Sequence, residues 1–391
     1  MRLQGRQRAL QPDFRTKNKV TKENRSPMKR RYLLAATALL ATLGLTGCND
    51  DKTETTAQQA SEPAKTYQWK MVTAWPKNYP GLGTSAERLA ERVTAMSAGR
   101  LTIRVYAAGE LVPALEVFDS VSRGTAELGH GAAYYWKGKV PTAQFFTSVP
   151  FGLSAIEMNA WLSKGGGQAF WEEAYAPHGV KPMVVGNSGM QMGGWFNKEI
   201  NSLSDLQGLK IRMPGLGGEV LARLGATSVN LPGGEVFTAL QTGAIDATDW
   251  VNPYNDLAFG LHKAARYYYY PGWQEPQAVL ELLVNQKAFD SLPADLQVIL
   301  TEATRAASRD MLDDYTYNNA LALEQLKQQG VELKRFPDEV LFAMREHSEQ
   351  VLGQLAEQSE LNGRIWASMK AFQAQVGPMH EISEKELYNW R

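Results

Sequence analysis

Apolar and polar residues between positions 67 and 74 (Y-Q-W-K-M-V-T-A) alternate with the period of a half-buried strand. Residues 84–96 switch to the helical period, with Leu89, Val93 and Met96 on one side. Alternation returns at 101–106, helical spacing at 113–123 ahead of Gly124, and a short extended run at 126–131. Strand, helix, strand, helix, strand at this spacing predicts a parallel sheet with crossover helices. A second unit of the same kind is predicted from strands at 180–187, 193–197 and 210–213 and an extended run at 228–231. Helical spacing at 218–224 and 234–242 and a strand edge reached through 244–250 complete it, and 267–270 (Y-Y-Y-Y) and 278–285 read as further strands.

The last third changes character. Over 293–329, Leu296, Ile299, Leu300, Ala303, Ala307 and Met311 share a helical face with no breaker. At 1.5 Å per residue this is roughly 55 Å of helix, long enough to bridge two lobes or two subunits. Residues 338–376 again read as helical, with Gly353 and Gly363 inside the run.

Ahead of the folded body, Met28-Lys29-Arg30-Arg31 and the apolar run 32–43 have the form of a signal peptide. Leu45-Thr46-Gly47-Cys48 then reads as a lipobox, in which Cys48 is acylated and becomes the new N-terminus. Residues 1–27 form a polar, basic extension that plays no structural part, consistent with a start codon placed too early. Residues 48–66 hold almost no large apolar side chain and read as a disordered tether. No later stretch is long and apolar enough to span a membrane.

Composition sharpens this picture. The chain of 391 residues is 44% hydrophobic and formally neutral, yet its first 47 residues carry 11 Lys/Arg and 2 Asp/Glu. The remainder therefore holds 30 basic and 39 acidic residues, a formal −9 that argues against a nucleic-acid partner. A single cysteine excludes an internal disulfide and any Cys-x-x-Cys metal pair. Gly186-Asn187-Ser188-Gly189-Met190 lacks the last glycine of a nucleophile elbow, and the five histidines are scattered singly. Gly81-Leu82-Gly83-Thr84-Ser85-Ala86 fits a loose dinucleotide-loop form, but no acidic residue ends the next strand.

More informative are polar residues at predicted strand ends: Gln191, Arg212 ahead of Pro214, and Asp249-Trp250. Ligands in α/β sheets bind beyond the carboxyl ends of strands, where these positions could converge. A guanidinium offers a carboxylate two parallel hydrogen bonds, and Gln and Asp oxygens suit a hard cation. On spacing alone, the reading of Arg212 as a surface salt-bridge residue is slightly favoured.

From Tyr67 to about Tyr388 the sequence resembles the solute-binding proteins of tripartite ATP-independent periplasmic (TRAP) transporters, and within them the 2-oxo-acid and lactate branch. The resemblance rests on W-K-M-V-T-A-W-P-K-N-Y-P-G-L-G, A-A-G-E-L-V-P, G-H-G-A-A-Y-Y-W, G-N-S-G-M-Q-M-G-G-W-F-N-K, L-K-I-R-M-P-G-L-G-G-E-V, G-A-I-D-A-T-D-W-V-N-P-Y-N-D and Y-Y-Y-Y-P-G-W-Q-E-P. It implies an α/β, two-lobed periplasmic-binding-protein-like fold with a long lobe-spanning helix and a C-terminal helical extension. The expected boundaries are lobe I at 67–189 with about 278–317, lobe II at 190–277 with about 318–344, and the extension at 345–391.

Carried over by position, the resemblance makes Arg212 the clamp on the substrate carboxylate. Gln191 meets both substrate and a bound Na⁺ or Ca²⁺, Asp249 is an acidic cation ligand where the branch often has Glu, and Trp250 adds its backbone carbonyl. Tyr134 and Tyr135 stand where lobe I gives a hydroxyl to the ligand. Trp75, Trp195, Trp273 and Glu275, the last as a further metal ligand, are secondary candidates. The function implied is capture of a pyruvate- or lactate-like monocarboxylate for a permease with a small and a large membrane subunit. No enzymatic activity is expected, and the protein should be a homodimer held at the periplasmic face of the inner membrane by its lipid. The alternatives are another organic acid, a lipid-anchored hydrolase or lyase, and a signalling or adhesion module.

Overall fold

The computed structural model describes residues 65–391. The signal sequence, Cys48 and nearly all of the tether lie outside the described residues. Among the described residues, eleven strands follow in chain order: β1 (Tyr67–Thr73), β2 (Leu101–Tyr106), β3 (Leu128–Gly131), β4 (Val180–Asn187), β5 (Gly194–Phe196), β6 (Lys210–Arg212), β7 (Thr227–Val229), β8 (Ala247–Thr248), β9 (Tyr267–Tyr270), β10 (Val279–Asn285) and β11 (Glu332–Arg335). The helices that concern the site are α1 (Leu82–Met96), α2 (Val117–Ser122), α3 (Ala155–Lys164), α4 (Gly167–Tyr175), α5 (Gly215–Arg223), α6 (Gly233–Gln241), α7 (Pro253–Phe259), α8 (Gln286–Ser291), α9 (Ala294–Gln328), α10 (Asp338–Glu357) and α11 (Glu360–His380).

The strands form two sheets, of order β2-β1-β3-β10-β4 and β11-β9-β5-β8-β6-β7, each the spine of one lobe. As expected for the run 67–131, β1 is parallel to both β2 and β3; the sheet is completed by β10, which runs antiparallel to both β3 and β4. Strand β4, read from the sequence as the start of the second unit, belongs to the first sheet. The chain leaves the first lobe along β4 and returns along β10, so the two must run in opposite directions. Periodicity reveals a strand but not its neighbour. Strand β10 lies inside the sheet and is apolar on both faces, apart from Glu281 and the terminal Asn285. Its carboxylate accepts from the Trp136 indole and, at 3.0 Å, from the Tyr175 hydroxyl, and burial pushes it up to about 8.

Helix α9 has 35 residues, about 52 Å, and packs on β4, α1 and α7 through Leu296, Leu300, Ala303, Ala307, Met311 and Tyr315. The helical run predicted over 338–376 is divided into α10 and α11, and the break is at neither glycine. Ser359 is extended (φ −157°, ψ 157°), and its side chain accepts the Asn362 N–H at 3.1 Å. This N-cap interrupts the backbone while leaving the apolar period almost unbroken. Helix α10 packs on α5 of the second lobe and α11 on α3 and α4 of the first. Trp161 Nε1 donates to Ser368 Oγ at 3.1 Å, and Arg364 pairs with Glu173 at 2.8 Å. Helices α3 and α4 escaped the sequence reading, although Ser154 and Glu157 form a capping box at the start of α3.

Candidate functional site

Strands β6 and β8 are adjacent and parallel, with Arg212 opposite Thr248. Arg212 and the pair Asp249-Trp250 therefore leave the second sheet side by side at its carboxyl edge. In the first lobe, β3 leads into a 3₁₀ turn, Ala133–Trp136, that carries Tyr134 and Tyr135. Gln191 lies on the outgoing crossing between β4 and β5, and Gln274 and Glu275 lie on the return between β9 and β10. The crossings are tied together: Gln191 N–H donates to the Glu275 carbonyl at 3.1 Å and Gln274 Nε2 to the Met192 carbonyl at 2.8 Å.

Arg212 is fully buried. Its Nη1 donates to the Asp249 carbonyl at 2.9 Å, its Nε to the Leu231 carbonyl at 3.4 Å and its Nη2 to the Tyr135 hydroxyl at 3.4 Å. The guanidinium carbon stands 5.0 Å from the Trp250 ring centroid, a cation–π distance. The Asp249 carboxylate is 3.9 Å away, an ion pair without a hydrogen bond. Tyr135 belongs to one lobe and Arg212 to the other, so the lobes are closed on each other. Lys137 and Glu219 also pair across the cleft at 2.7 Å. Closure relies on Gly215 at the start of α5: it has φ +65°, and a Cβ there would meet the Tyr134 ring at 3.1 Å.

Asp249 and Glu275 are both buried beside this arginine. Asp249 Oδ1 accepts from Gln274 Nε2 at 3.0 Å, while its Oδ2 has no partner. Burial pushes the Asp249 carboxyl up to about 7, with Arg212 opposing the shift. Burial and the neighbouring Asp249 charge raise Glu275 well above the carboxylate range. Buried oxygens without partners also include Glu275 Oε2, Gln191 Oε1, Gln274 Oε1 and Asn252 Oδ1. Acceptors from two carboxylates and neighbouring amides, several of them without a hydrogen bond, form the oxygen-rich environment that a hard cation favours. Among the described residues, no group of three or more His, Cys, Asp or Glu could hold a metal, so a cation here would depend on amide and backbone oxygens as well.

The structure thus brings together Arg212, Tyr134, Tyr135, Asp249, Trp250, Gln191 and Glu275. Trp75 stands behind the site: its Nε1 donates to His130 Nδ1 at 2.9 Å and its ring lies 5.8 Å from that of Tyr135. Trp195 is not at the site; it stacks on Tyr268 at 4.0 Å within the second lobe and donates to Asp256. Trp273 lines a cleft of about 640 Å³ with Phe151, Met190 and Phe342 that contains none of Arg212, Asp249 or Tyr135. Sequence reasoning missed Gln274, which holds Asp249, and Asn252. Both lie inside quoted motifs, W-Q-E-P and D-W-V-N-P, but an amide carries no charge pattern to single it out.

The family described as bacterial extracellular solute-binding protein, family 7, matches residues 71–359. Over 366 residues the chain is 44% identical to a monocarboxylate 2-oxoacid-binding periplasmic protein of Nostoc sp., covering 93% of this chain and 99% of that one. It is similar in structure (TM-score 0.81, 44% identity, 83% of this chain and 99% of the other) to a TRAP periplasmic solute-binding protein of Pseudoalteromonas atlantica with bound sodium and pyruvate. A TRAP solute-binding protein of Bordetella bronchiseptica is also similar (TM-score 0.82, 38% identity, 83% and 97% covered). It is described as a mixed-occupancy dimer, with copurified calcium and picolinate in one active site and an apo site.

Proposed function

The chain belongs to the bacterial extracellular solute-binding proteins of family 7, the receptors of TRAP transporters, and we propose that it captures a small 2-oxo or 2-hydroxy monocarboxylate together with Na⁺ or Ca²⁺. It is a binding protein and not an enzyme. The observation that carries the ligand reading is a buried arginine beside two buried carboxylates, each with one oxygen that has no hydrogen-bond partner. Arg212 supplies one positive charge and, when ionised, Asp249 and Glu275 supply two negative ones. A ligand carboxylate adds a third in a site shielded from water, and a bound cation offsets the excess. Arg212, with Tyr135 beside it, would take the ligand carboxylate. Gln191, Asp249, Glu275 and the Trp250 carbonyl would hold the cation, and Tyr134 would add a hydroxyl. The cation would be a template for two oxygens, one on the carboxylate and one at C2. Calorimetry on refolded, ligand-free protein tests this with and without Na⁺ or Ca²⁺. Pyruvate and lactate should bind far more tightly than propionate, and only with the cation present. Equal affinity for propionate and pyruvate, or indifference to the cation, would overturn the reading.

We further propose delivery to a TRAP permease from a lipid anchor at Cys48, by a homodimer. The lipobox supports the anchor, and the dimer described for the Bordetella bronchiseptica relative supports the assembly. Large apolar side chains near the C-terminus are exposed, among them Met379, Ile382, Tyr388 and Trp390, as a subunit contact would require. Cys48→Ser should move the protein from the detergent phase to the aqueous phase, where light scattering should give twice the chain mass. Unchanged partitioning would count against the anchor, and a monomer at micromolar concentration against the dimer.

A further inference from the structure

The side chain of Trp250 is held from the opposite lobe. Its Nε1–H donates to the Tyr79 hydroxyl at 2.7 Å, and that hydroxyl donates to the Asn255 carbonyl at 2.7 Å. Tyr79 belongs to the turn between β1 and α1 of the first lobe. Asn255 is on α7, which follows β8 after the four residues 249–252. Helix α7 is fastened to the second sheet because Asp256 accepts from Trp195 Nε1 at 2.9 Å and from the Tyr268 hydroxyl at 2.7 Å. Asn255 Nδ2 reaches back to the Pro80 carbonyl at 2.7 Å, so two bonds join this turn to α7. Phe259 stacks on Trp250 at 4.8 Å and lies 4.3 Å from the Tyr79 ring. On the ring's edge, a Cβ at Gly233 would come within 2.3 Å of Trp250 Cη2, which leaves the indole no room to shift that way. A continuous chain of contacts thus runs from Tyr79 through the Trp250 indole to the Arg212 guanidinium.

All three polar partners are buried: Tyr79 is 5% exposed, Trp250 4% and Asn255 0%. With the lobes apart, the hydroxyl and the indole N–H can each bind water. Closure removes that water, and the indole N–H is then satisfied only by the Tyr79 hydroxyl, which itself donates to the Asn255 carbonyl. A bond of this kind stabilises the closed state alone and therefore biases the opening equilibrium. We propose that Tyr79 is a positioning residue: its hydroxyl latches the closed lobes and fixes the Trp250 indole against Arg212, so that ligand release requires this latch to break. The inference rests on the binding-protein reading above and adds a residue outside the ligand's own contacts.

The test compares Tyr79→Phe with wild type, using pyruvate with Ca²⁺ or Na⁺ as the probe. Stopped-flow displacement should show dissociation faster by roughly ten- to hundredfold, with association changed by less than about twofold. The thermal midpoint of ligand-free protein should not move, because the open state does not use the bond. Tyr268→Phe, whose bond lies within the second lobe, should instead lower that midpoint. Spin labels at Glu91→Cys on α1 and Glu235→Cys on α6, in a Cys48→Ser background, report the lobe separation. Tyr79→Phe should shrink the short-distance population. The proposal is overturned if dissociation is unchanged or if Tyr79→Phe lowers the ligand-free midpoint as Tyr268→Phe does. If wild type takes no pyruvate with either cation, the ligand reading fails by itself. The latch is then judged on the ligand-free distances, and an unshifted distribution overturns it.

Discussion

Arg212→Lys should weaken pyruvate binding by about 30- to 5000-fold, the equivalent of roughly 2–5 kcal/mol for breaking a buried, hydrogen-bonded charge pair. Lysine keeps the charge but offers a point where the guanidinium offers a plane. The native side chain makes bonds from Nε, Nη1 and Nη2 to Leu231, Asp249 and Tyr135, and it lies over the Trp250 ring. An ammonium cannot reproduce all of these and still present two parallel donors to a ligand. Titration calorimetry measures the loss directly, and wild-type affinity in Arg212→Lys would exclude the bidentate clamp. The thermal midpoint of the ligand-free variant should be recorded alongside, because the carbonyls of Leu231 and Asp249 lose a donor whether or not ligand is present.

The second large effect is expected at Asp249, where stability and binding should move in opposite directions. In the folded protein burial raises this carboxyl from 3.8 to about 7, so its ionisation opposes folding. Between those values the folded state holds more protons than the unfolded one, and unfolding free energy falls as pH rises. Asp256, also raised to about 7, and Glu281, raised to about 8, act in the same direction. Ligand-free protein should therefore lose stability as pH rises from about 4 to about 8. Cation and ligand affinity should rise over the upper part of that window, because the cation needs the ionised carboxylate. Asp249→Asn removes the charge while an amide oxygen can still accept from Gln274. It should raise the thermal midpoint of ligand-free protein at pH 8 and abolish the dependence of pyruvate binding on Na⁺ or Ca²⁺. Thermal scans across pH and calorimetry at fixed cation check both signs. A variant that binds the cation normally would remove Asp249 from the site, and one that is destabilised at pH 8 would contradict the burial argument.

Much of this was readable in the chain itself. Alternation over 67–74 and 101–106, the unbroken helical face that begins at Leu296, and the motifs around Gln191, Arg212 and Asp249 follow from local chemistry. A strand half-exposed to solvent must alternate, and a long amphipathic helix must repeat about every 3.6 residues. The Leu45-Thr46-Gly47-Cys48 motif and the acidic composition that follows it are likewise properties of the chain alone. These features are encoded within a few residues of one another, so no knowledge of distant partners is needed to see them.

The tertiary structure decided what depends on residues far apart in sequence. It assigned β4 to the first sheet and reversed β10, because strand direction follows from where the chain crosses between lobes. It divided the C-terminal helical run at Ser359, where one side-chain hydrogen bond outweighs a continuous apolar period. It placed Trp195 in the core and gave Gln274 and Tyr79 their partners at Asp249 and Trp250. Residue type, together with the family resemblance, marked Gln191, Arg212, Asp249 and Trp250 as candidates for a carboxylate and a cation. Which of them lie side by side is decided by the packing of the two lobes, which buries groups far apart in sequence against one another.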